Sequence, residues 1–213
     1  MRLVTVLKSG GEYREVHVRH LKQQLAKHSP GVELVCLSDV LTPATTIPLR
    51  YTWPGWWAKM EMFRPDILGD FLFCDLDTVL VGDIRPLANL KRTTVLRDFY
   101  WDRSKGLGPD AVGSGLMYLT EADRAEIWKA WVTNPNEWMA RAGRHGDQYV
   151  IGKIIGATAK RFQDTNPGRV CSYKAHIRDA DLKAPPDGVS IVCFHGRPRP
   201  WACNEPWVKE ALA

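Results

Sequence analysis

The sequence has few cysteines, no long apolar run and little excess charge. Its 213 residues include five cysteines, with no C-x-x-C pair, which argues against a disulfide framework and a zinc ribbon. No apolar stretch approaches the ~20 residues that cross a bilayer. The first apolar run stops at Lys8, too early for the core of a signal peptide. We therefore expect a cytoplasmic protein without a membrane span.

The positive charge is concentrated in one stretch. Lysine and arginine total 29 against 24 aspartates and glutamates, a net charge of +5. Residues 1–140 hold 17 of each sign and residues 184–213 hold three of each, so the excess lies in residues 141–183, with nine basic and four acidic side chains. This pattern favours either an anionic ligand or an ordinary solvated face, and it is too small to demand a nucleic acid.

The apolar pattern indicates a single α/β domain. The chain opens with a strand, a turn, a helix and a second strand, which is typical of a mostly parallel sheet flanked by helices. Ligands of such sheets bind at the carboxyl ends of the strands. The predicted strands are Leu3–Leu7, Val32–Leu37, Phe71–Cys74, Thr78–Val81, Thr93–Leu96, Leu116–Leu119 and Ser190–Phe194. The predicted helices are 12–28, Trp56–Phe63, a helix capped by Thr120 that runs to Trp131, 137–144, 147–155 and 205–212, with a proline-rich loop before Trp56.

The segment Asp75-Leu76-Asp77 lies between two apolar runs. On an extended segment, side chains two residues apart point to the same face, so we expect two carboxylates side by side among apolar residues. Buried carboxylates need a counter-charge, and oxygen ligands suit Mg²⁺ or Mn²⁺. The alternative is that the strand ends at Cys74 and the acids lie in a hydrated turn with Arg85 as their partner.

Two classes of enzyme use such an acid pair. Haloacid-dehalogenase-like phosphohydrolases carry D-x-D-x-T after their first strand, with the first Asp as nucleophile. Here Thr78 follows the second Asp directly, and two predicted strands precede the motif. This difference weakens the phosphohydrolase hypothesis but leaves it open. Glycosyltransferases of the GT-A fold are the other class.

Four blocks of sequence resemble motifs of one such family, in the same order. The blocks are Trp57–Phe63 with Phe71–Leu87, then Gly113–Tyr118, Gly146–Gln148 and Cys193–Trp201. They resemble the retaining family-8 glycosyltransferases, the group of glycogenin and the bacterial lipopolysaccharide galactosyltransferases. The similarity spans most of the chain. It implies a GT-A (Rossmann-like) domain over residues 1–213, with a nucleotide-sugar-binding half at about 1–85 and an acceptor-side half at about 86–213.

The resemblance implies metal-dependent transfer from a nucleotide sugar, with a UDP-sugar expected as donor and retention of anomeric configuration. It assigns Asp75, Asp77 and His195 to Mn²⁺ (or Mg²⁺). Lys59, Asp147 and Gln148 are expected in catalytic roles at the donor sugar, and Lys59 also in donor binding. The other expected donor-binding residues are Val6, Lys8, Tyr13, Leu76, Gly196 and Arg199.

Two positions depart from the family pattern. Gly113 stands where the family usually has Asn, and Cys193 stands where some relatives have a metal-binding His, with His195 two residues later. Either Cys193 or His195 could therefore complete the metal shell. These departures leave a catalytically silent nucleotide-sugar-binding module as a further alternative.

The acceptor and the oligomeric state are open. A glycan, a protein or an anionic polymer are the acceptor classes, with DNA as a minority hypothesis that rests only on the positive charge. Because the basic stretch 141–183 falls in the acceptor-side half, we expect an anionic acceptor there. Among the tryptophans, Trp128 and Trp131 have core spacing, whereas four others are expected to line the site. These four are Trp53, Trp56, Trp57 and Trp201.

Overall fold

A seven-stranded mixed sheet forms the centre of the computed structural model, which describes residues 1–100 and 111–213. The strands are β1 (Arg2–Leu7), β2 (Glu33–Ser38), β3 (Thr45–Pro48), β4 (Phe71–Cys74), β5 (Thr78–Leu80), β6 (Thr94–Arg97), β7 (Val112–Leu119), β8 (Lys160–Arg161), β9 (Val170–Ser172) and β10 (Ile191–Cys193). In the large sheet the order is β3-β2-β1-β4-β7-β6-β8, with β7 antiparallel to both neighbours and the remaining pairs parallel. The predicted α/β class with a mostly parallel sheet is confirmed.

Helices cover both faces of this sheet. The α-helices are α1 (Glu15–His28), α2 (Glu121–Thr133), α3 (Pro135–Ala142), α4 (Asp147–Ile155), α5 (Phe162–Thr165) and α6 (Pro206–Leu212). Shorter 3₁₀ and π turns include the 3₁₀ helix Gly55–Phe63 and the π-helical turn Tyr173–Arg178. Among the described residues, no helix combines the length and the apolarity that crossing a membrane requires.

Strand β1 shows how the sequence pattern builds two apolar layers. Leu3 and Leu7 pack in the cluster that contains the buried face of α1, whereas Val4 belongs to the cluster on the opposite face. Alternate side chains of a strand point to opposite faces, so one buried strand contributes to both layers. On α1 the buried face includes Val18, whereas Val16 is 37% exposed.

Several elements differ from the predicted ones. Strand β3 lies in the proline-rich segment that the sequence suggested was a loop; it forms an edge strand, where proline is tolerated. Strand β7 begins at Val112, four residues earlier than predicted, and α1 begins at Glu15. The predicted helix at Trp56–Phe63 is present but has 3₁₀ geometry. Strands β8 and β9 and helix α5 were missed because they are two to four residues long, too short to show a periodic pattern.

A second, three-stranded sheet was also not predicted. Its order is β5-β10-β9, with β10 antiparallel to β5 and parallel to β9. Strand β5 follows β4 after only three residues, yet it pairs in the small sheet and β4 in the large one. The acid segment Asp75–Asp77 therefore connects the two sheets.

Candidate active site

The acid segment is a turn that is anchored to both sheets. The amide of Thr78 donates to the carbonyl of Asp75 (3.1 Å), so the segment is not the extended one expected from the sequence. The amide of Asp75 donates to the carbonyl of Gly115 in β7 (2.9 Å), and the carbonyl of Asp77 accepts from the amide of Phe194 (3.2 Å). The turn directs the two carboxylates to different cations. Each acid therefore has its own surroundings.

Lys59 lies between two carboxylates. The 3₁₀ helix Gly55–Phe63 buries its side chain, which is 10% exposed, and places Nζ 2.9 Å from Asp75 Oδ1 and 3.1 Å from Asp147 Oδ2. Asp147 is the first residue of α4, where a carboxylate also interacts favourably with the helix dipole. The structure thus brings together three residues that are 16 and 72 positions apart from one another along the chain.

These charges have opposite effects on the two partners. Burial alone would lower the pKa of Lys59, but the charges of Asp147 and Asp75 outweigh it, so its pKa is raised and the amine stays protonated. Burial raises the pKa of Asp75 to about 6; Lys59 opposes this rise, whereas Asp77 and Asp147 add to it. The Asp75 side chain keeps 30% of its surface exposed and lines the neighbouring cavity. The protonated amine of Lys59 is therefore the shared counter-ion of Asp75 and Asp147.

Arg199 is the counter-ion of the second acid. Its guanidinium contacts the Asp77 carboxylate, and its Nε donates to Glu12 Oε2 (3.1 Å). Arg197 also pairs with Glu12 (3.1 Å). A planar guanidinium can hold two carboxylates at once, which a lysine amine does with less directional control. The alternative partner Arg85 instead pairs with Asp83 at the surface (2.9 Å).

Glu12 was not identified from the sequence. It precedes α1 in the loop that follows β1, and it ties that loop to the C-terminal segment through Arg197 and Arg199. Its position after Gly10 and Gly11, beyond the carboxyl end of the first strand, is the signal that could have identified it, because ligands of such sheets bind there.

Tyr13 lies against the same arginine. The Arg199 guanidinium lies 5.1 Å from the centre of the Tyr13 ring, and Trp201 meets the ring edge-on at 5.6 Å. Burial, followed by the charges of Asp77 and Asp75, raises the pKa of the Tyr13 hydroxyl well above its ordinary value. Tyr13 therefore stays neutral beside the acid turn.

A cavity of about 500 Å³ opens between these groups. Its walls come from the end of β1, the loop before α1, the 3₁₀ helix, the acid turn and the last loop. The lining residues are Val6, Lys8, Ser9, Gly10, Gly11, Glu12, Tyr13, Gly55, Trp56, Ala58, Lys59, Asp75, Leu76 and Arg199. Seven of the predicted site residues therefore share one cavity, which is large enough for a small organic ligand.

Other predicted site residues are not among the described residues that line this cavity. Gln148 follows Asp147 on the first turn of α4 and is half-buried. Asp77 is linked to the cavity by its ion pair with Arg199, which lines the cavity. Gly196 is exposed in the last loop, residues 194–199 after β10, and has a φ of +81°. His195 contacts Ser172, Phe99 and Tyr100.

Of the three predicted metal ligands, two lie in the acid turn and the third is bonded elsewhere. His195 Nε2 lies 2.6 Å from Ser172 Oγ, and burial followed by the charge of Lys174 lowers the pKa of this imidazole to about 4. Cys193 is buried at the end of β10, and burial raises the pKa of its thiol well above its ordinary value.

No three His, Cys, Asp or Glu side chains within residues 1–100 and 111–213 are grouped as a ligand set for a metal ion. The carboxylates of Asp75 and Asp77 are hard oxygen donors that suit Mn²⁺ or Mg²⁺. The donor chemistry of these two acids fits a cation held by two protein ligands rather than three.

The tryptophans divide between the core and the cavity. Trp56 is 58% exposed and lines the cavity beside Gly146, as expected. Trp57 is instead buried and stacks on Trp131 (5.3 Å). Trp53 packs between Tyr51, Trp128 and Trp131, and Trp201 stacks on His17 (3.8 Å) behind Tyr13. Trp56 is therefore the one of the four candidates that borders the cavity.

The structure explains why position 113 is glycine. Strand β7 makes an irregular pairing with β6 between Val95 and Leu96. A Cβ at position 113 would lie 3.0 Å from the Leu96 Cβ, which is too close for two carbon atoms. An asparagine there would require Leu96 to move, so the departure from the family pattern reflects local packing.

The fold of the chain is similar to that of solved glycosyltransferases. The glycosyltransferase GlyE of Streptococcus pneumoniae superposes with a TM-score of 0.72 at 12% identity, over 99% of this chain and 59% of its own. The galactosyltransferase LgtC, solved with donor and acceptor sugar analogues, has a TM-score of 0.69 at 11% identity, over 100% of this chain and 95% of its own. The chain has the GT-A glycosyltransferase fold. Mouse xyloside xylosyltransferase 1 is a more distant structural neighbour, with a TM-score of 0.53 at 13% identity over 96% of this chain and 98% of its own.

Neither a protein-family model nor a curated protein sequence matches the chain. The GT-A fold expected from the four sequence blocks is nevertheless confirmed, because the structural similarity to GlyE and LgtC extends over essentially the whole chain. The chain corresponds in length to LgtC and to about three fifths of GlyE.

Proposed function

We propose that the protein is a cytoplasmic glycosyltransferase that takes a sugar from a nucleotide sugar, with a UDP-sugar as the donor, and transfers it with retention of configuration. The observation that carries the proposal is the placement of Lys59 between Asp75 and Asp147 at the cavity of a GT-A fold. Five buried cysteines without disulfides support a reducing compartment.

Different parts of the cavity suit the nucleoside and the diphosphate of such a donor. The nucleoside would lie against Val6, Lys8 and Tyr13, with the ribose beside Leu76. Val6 and Leu76 offer apolar surface there, and Lys8 is held by Asp39 (3.2 Å). The diphosphate would lie towards Arg199 and the Gly196 loop, because that end of the site presents the guanidinium.

The donor sugar would lie near Lys59, Asp147 and Gln148. The carboxylate of Asp147 accepts hydrogen bonds and suits sugar hydroxyls, and the amide of Gln148 both donates and accepts. Trp56 at the mouth of the cavity offers an aromatic face to the C–H surface of a sugar. The acceptor would approach from this exposed side.

Asp75 and Asp77 would hold Mn²⁺ or Mg²⁺, with His195 as a third ligand only if it released Ser172. A bound divalent cation would supply Lewis acidity towards the leaving diphosphate. Arg199 would orient the diphosphate and offset its charge. Lys59 would hold Asp75 and Asp147 in place, because its ion pairs fix both carboxylates.

In the transfer, the bond between the anomeric carbon and the diphosphate oxygen breaks while the acceptor oxygen bonds to that carbon. The acceptor proton passes to the leaving diphosphate, so the products are the glycosylated acceptor and the nucleoside diphosphate. Gln148 is a poor nucleophile, which favours attack from the face of the leaving group over a covalent intermediate. Arg199 contributes by stabilising the negative charge that develops on the leaving group.

The test is release of UDP from UDP-glucose, UDP-galactose and UDP-N-acetylglucosamine in the presence of Mn²⁺. We expect slow hydrolysis without an acceptor and faster release with one. Asp75→Asn should lower this rate at least about 100-fold, as removal of electrostatic groups from active sites commonly does. Asp181→Asn is the matched control, because Asp181 is exposed and pairs only with Lys183 at the surface.

Three results would contradict the proposal. Absence of release with every donor, together with no binding of UDP, would exclude nucleotide-sugar chemistry. Manganese-dependent UDP binding without turnover would instead identify a catalytically silent module. Trapping of a phosphorylated Asp75 would revive the phosphohydrolase hypothesis.

A further inference from the structure

Four of the nine cations in the basic stretch 141–183 have partners within the protein. Arg141, Arg178 and Lys183 pair with nearby acids at 2.5–2.8 Å. Arg161 is buried and donates to the backbone carbonyls of Ala159 (2.7 Å) and Gly156 (2.9 Å). These four cations therefore have structural partners, and an anionic acceptor does not account for them.

Lys174 differs from these four. It lies in the π-helical turn that follows β9, is half-buried, and forms no ion pair with any residue in 1–100 or 111–213. A Cβ at Gly196 would lie 3.4 Å from Lys174 Nζ. The lysine amine thus lies over the glycine of the last loop, which also carries Arg199.

Charged residues at the acid turn act on Lys174. Burial, followed by the positive charges of Arg178 and Arg199, lowers its pKa, and the charges of Asp77 and Asp179 oppose this effect. Both members of the Arg199–Asp77 pair therefore belong to the electrostatic surroundings of Lys174. A partly buried cation without an acidic partner is costly unless an anion is bound.

Arg199 and Lys174 differ in their acidic partners. The guanidinium of Arg199 is shared between Asp77 and Glu12, whereas Lys174 has no such partner. A diphosphate carries more negative charge than one shared guanidinium can offset, and lysine is a common phosphate ligand that acts as a point charge. Lys174 Nζ lies 3.4 Å from the position of a Cβ at Gly196, three residues before Arg199 in the chain.

We propose that Lys174 is a phosphate-binding residue of the donor site, which contacts the diphosphate of the nucleotide across Gly196 together with Arg199. This proposal rests on the proposed function and assigns to the donor a cation that the sequence placed on the acceptor side. The rival assignment, in which Lys174 binds an anionic acceptor, is separated from it by the experiment below.

The experiment measures binding of UDP, UMP and uridine by calorimetry, in buffer with Mn²⁺, for the parent and for Lys174→Gln. We expect Lys174→Gln to weaken UDP binding about tenfold, the usual size of one charge-assisted contact. Binding of uridine, which has no phosphate, should not change. Lys174→Arg should bind UDP within about threefold of the parent, because it keeps the charge.

Lys183→Gln is the matched control, since this lysine belongs to the same basic stretch but has an 84% exposed side chain. It should bind UDP like the parent. Without ligand, the thermal midpoint of Lys174→Gln should equal or exceed that of the parent, because no ion pair is lost and an unpaired charge is removed.

Unchanged UDP affinity in Lys174→Gln would overturn the role of Lys174 and leave the proposed function standing. Equal weakening of UDP and uridine would also overturn it, because the effect would then not depend on phosphate. A parent protein that does not bind UDP would overturn the proposed function, and this proposal with it.

Discussion

Two cationic groups flank the acid turn, and they differ in how completely they are neutralised. On the side of the large sheet, Lys59 is enclosed by two carboxylates, and its side chain is 10% exposed. On the side of the small sheet, Arg199 pairs with Asp77 and shares Glu12 with Arg197, and Lys174 lies nearby without an ion pair to any described residue. The first group has more acids than cations, whereas the second has more cations than acids.

The difference suggests separate tasks for the two sides. A lysine between two buried acids stabilises its neighbours and holds them at fixed positions, because moving any of the three would leave a buried charge without a partner. A group that contains more cations than acids keeps a net positive charge, which favours the binding of an anion. We therefore expect Lys59→Gln to act mainly on stability and Arg199→Gln mainly on binding.

The largest effect is expected for Lys59→Gln. The substitution leaves Asp75 and Asp147 without their shared cation, so the free energy of unfolding should fall by about 3 kcal/mol, the usual cost of breaking a buried pair. Urea unfolding followed by circular dichroism measures this change. Lys183→Gln, in an exposed pair, should unfold like the parent. A Lys59→Gln protein as stable as the parent would show that the two acids do not need this lysine.

Arg199→Gln should have a smaller effect on stability and a clear effect on binding. Asp77 would retain a hydrogen-bond donor at position 199, so we expect a loss of about 1–2 kcal/mol in the free energy of unfolding. UDP binding should weaken about tenfold for the lost charge-assisted contact. Calorimetry and urea unfolding measure the two quantities.

Arg85→Gln is the control for this substitution, because Arg85 also pairs with an aspartate but is 57% exposed. If Arg199→Gln loses as much stability as Lys59→Gln and binds UDP normally, the division of tasks between the two sides is wrong.

The smallest effect on stability is expected for His17, which packs against Trp201 on the Arg199 side. His17 stacks on Trp201 at 3.8 Å, and its Nδ1 accepts from the amide of Arg14 (3.0 Å). Burial, followed by the charges of His20 and Arg14, lowers the pKa of His17 to about 4, and Glu12 opposes this effect. Between pH 6.5 and about 4 the unfolded chain binds a proton at this position more readily than the folded chain.

His17 should therefore lower stability as the pH falls through this range, by about 1 kcal/mol or less. In His17→Gln, whose amide oxygen can still accept from Arg14, the loss of stability between pH 7 and pH 4.5 should be smaller than in the parent. Urea unfolding at the two pH values measures the difference. Identical losses in both proteins would mean that His17 does not contribute.

The strands of the sheet centre and most of the long helices could be predicted from the sequence, because their apolar patterns are strong and local. Leu3–Leu7 and Phe71–Cys74 are continuous apolar runs, and Thr120 caps α2 by accepting from the amide of Asp123 (3.3 Å). The short elements carry no such pattern. Pairing with β2 makes Thr45–Pro48 a strand, although its prolines indicated a loop.

The candidate site could be predicted in its residue types but only partly in its geometry. Asp75 and Asp77 were identified from their spacing and Lys59 and Arg199 from the family resemblance, whereas Glu12 and Lys174 were not identified, because no motif marks them. The expected extended acid segment is a turn, since β4 and β5 pair in different sheets. That change separates the two carboxylates and gives each its own cation.

The sequence by itself determined the fold class, the acid motif and most of the residues that line the cavity, since these depend on local apolar runs and short motifs. Only the tertiary structure decided how the charges pair. Lys59 meets Asp147, Arg199 meets Asp77 and Glu12, and Lys174 lies over Gly196, through contacts between distant parts of the chain. The physical reason is that a charge is stabilised by whatever lies within a few ångströms of it, and packing of the two sheets sets those distances.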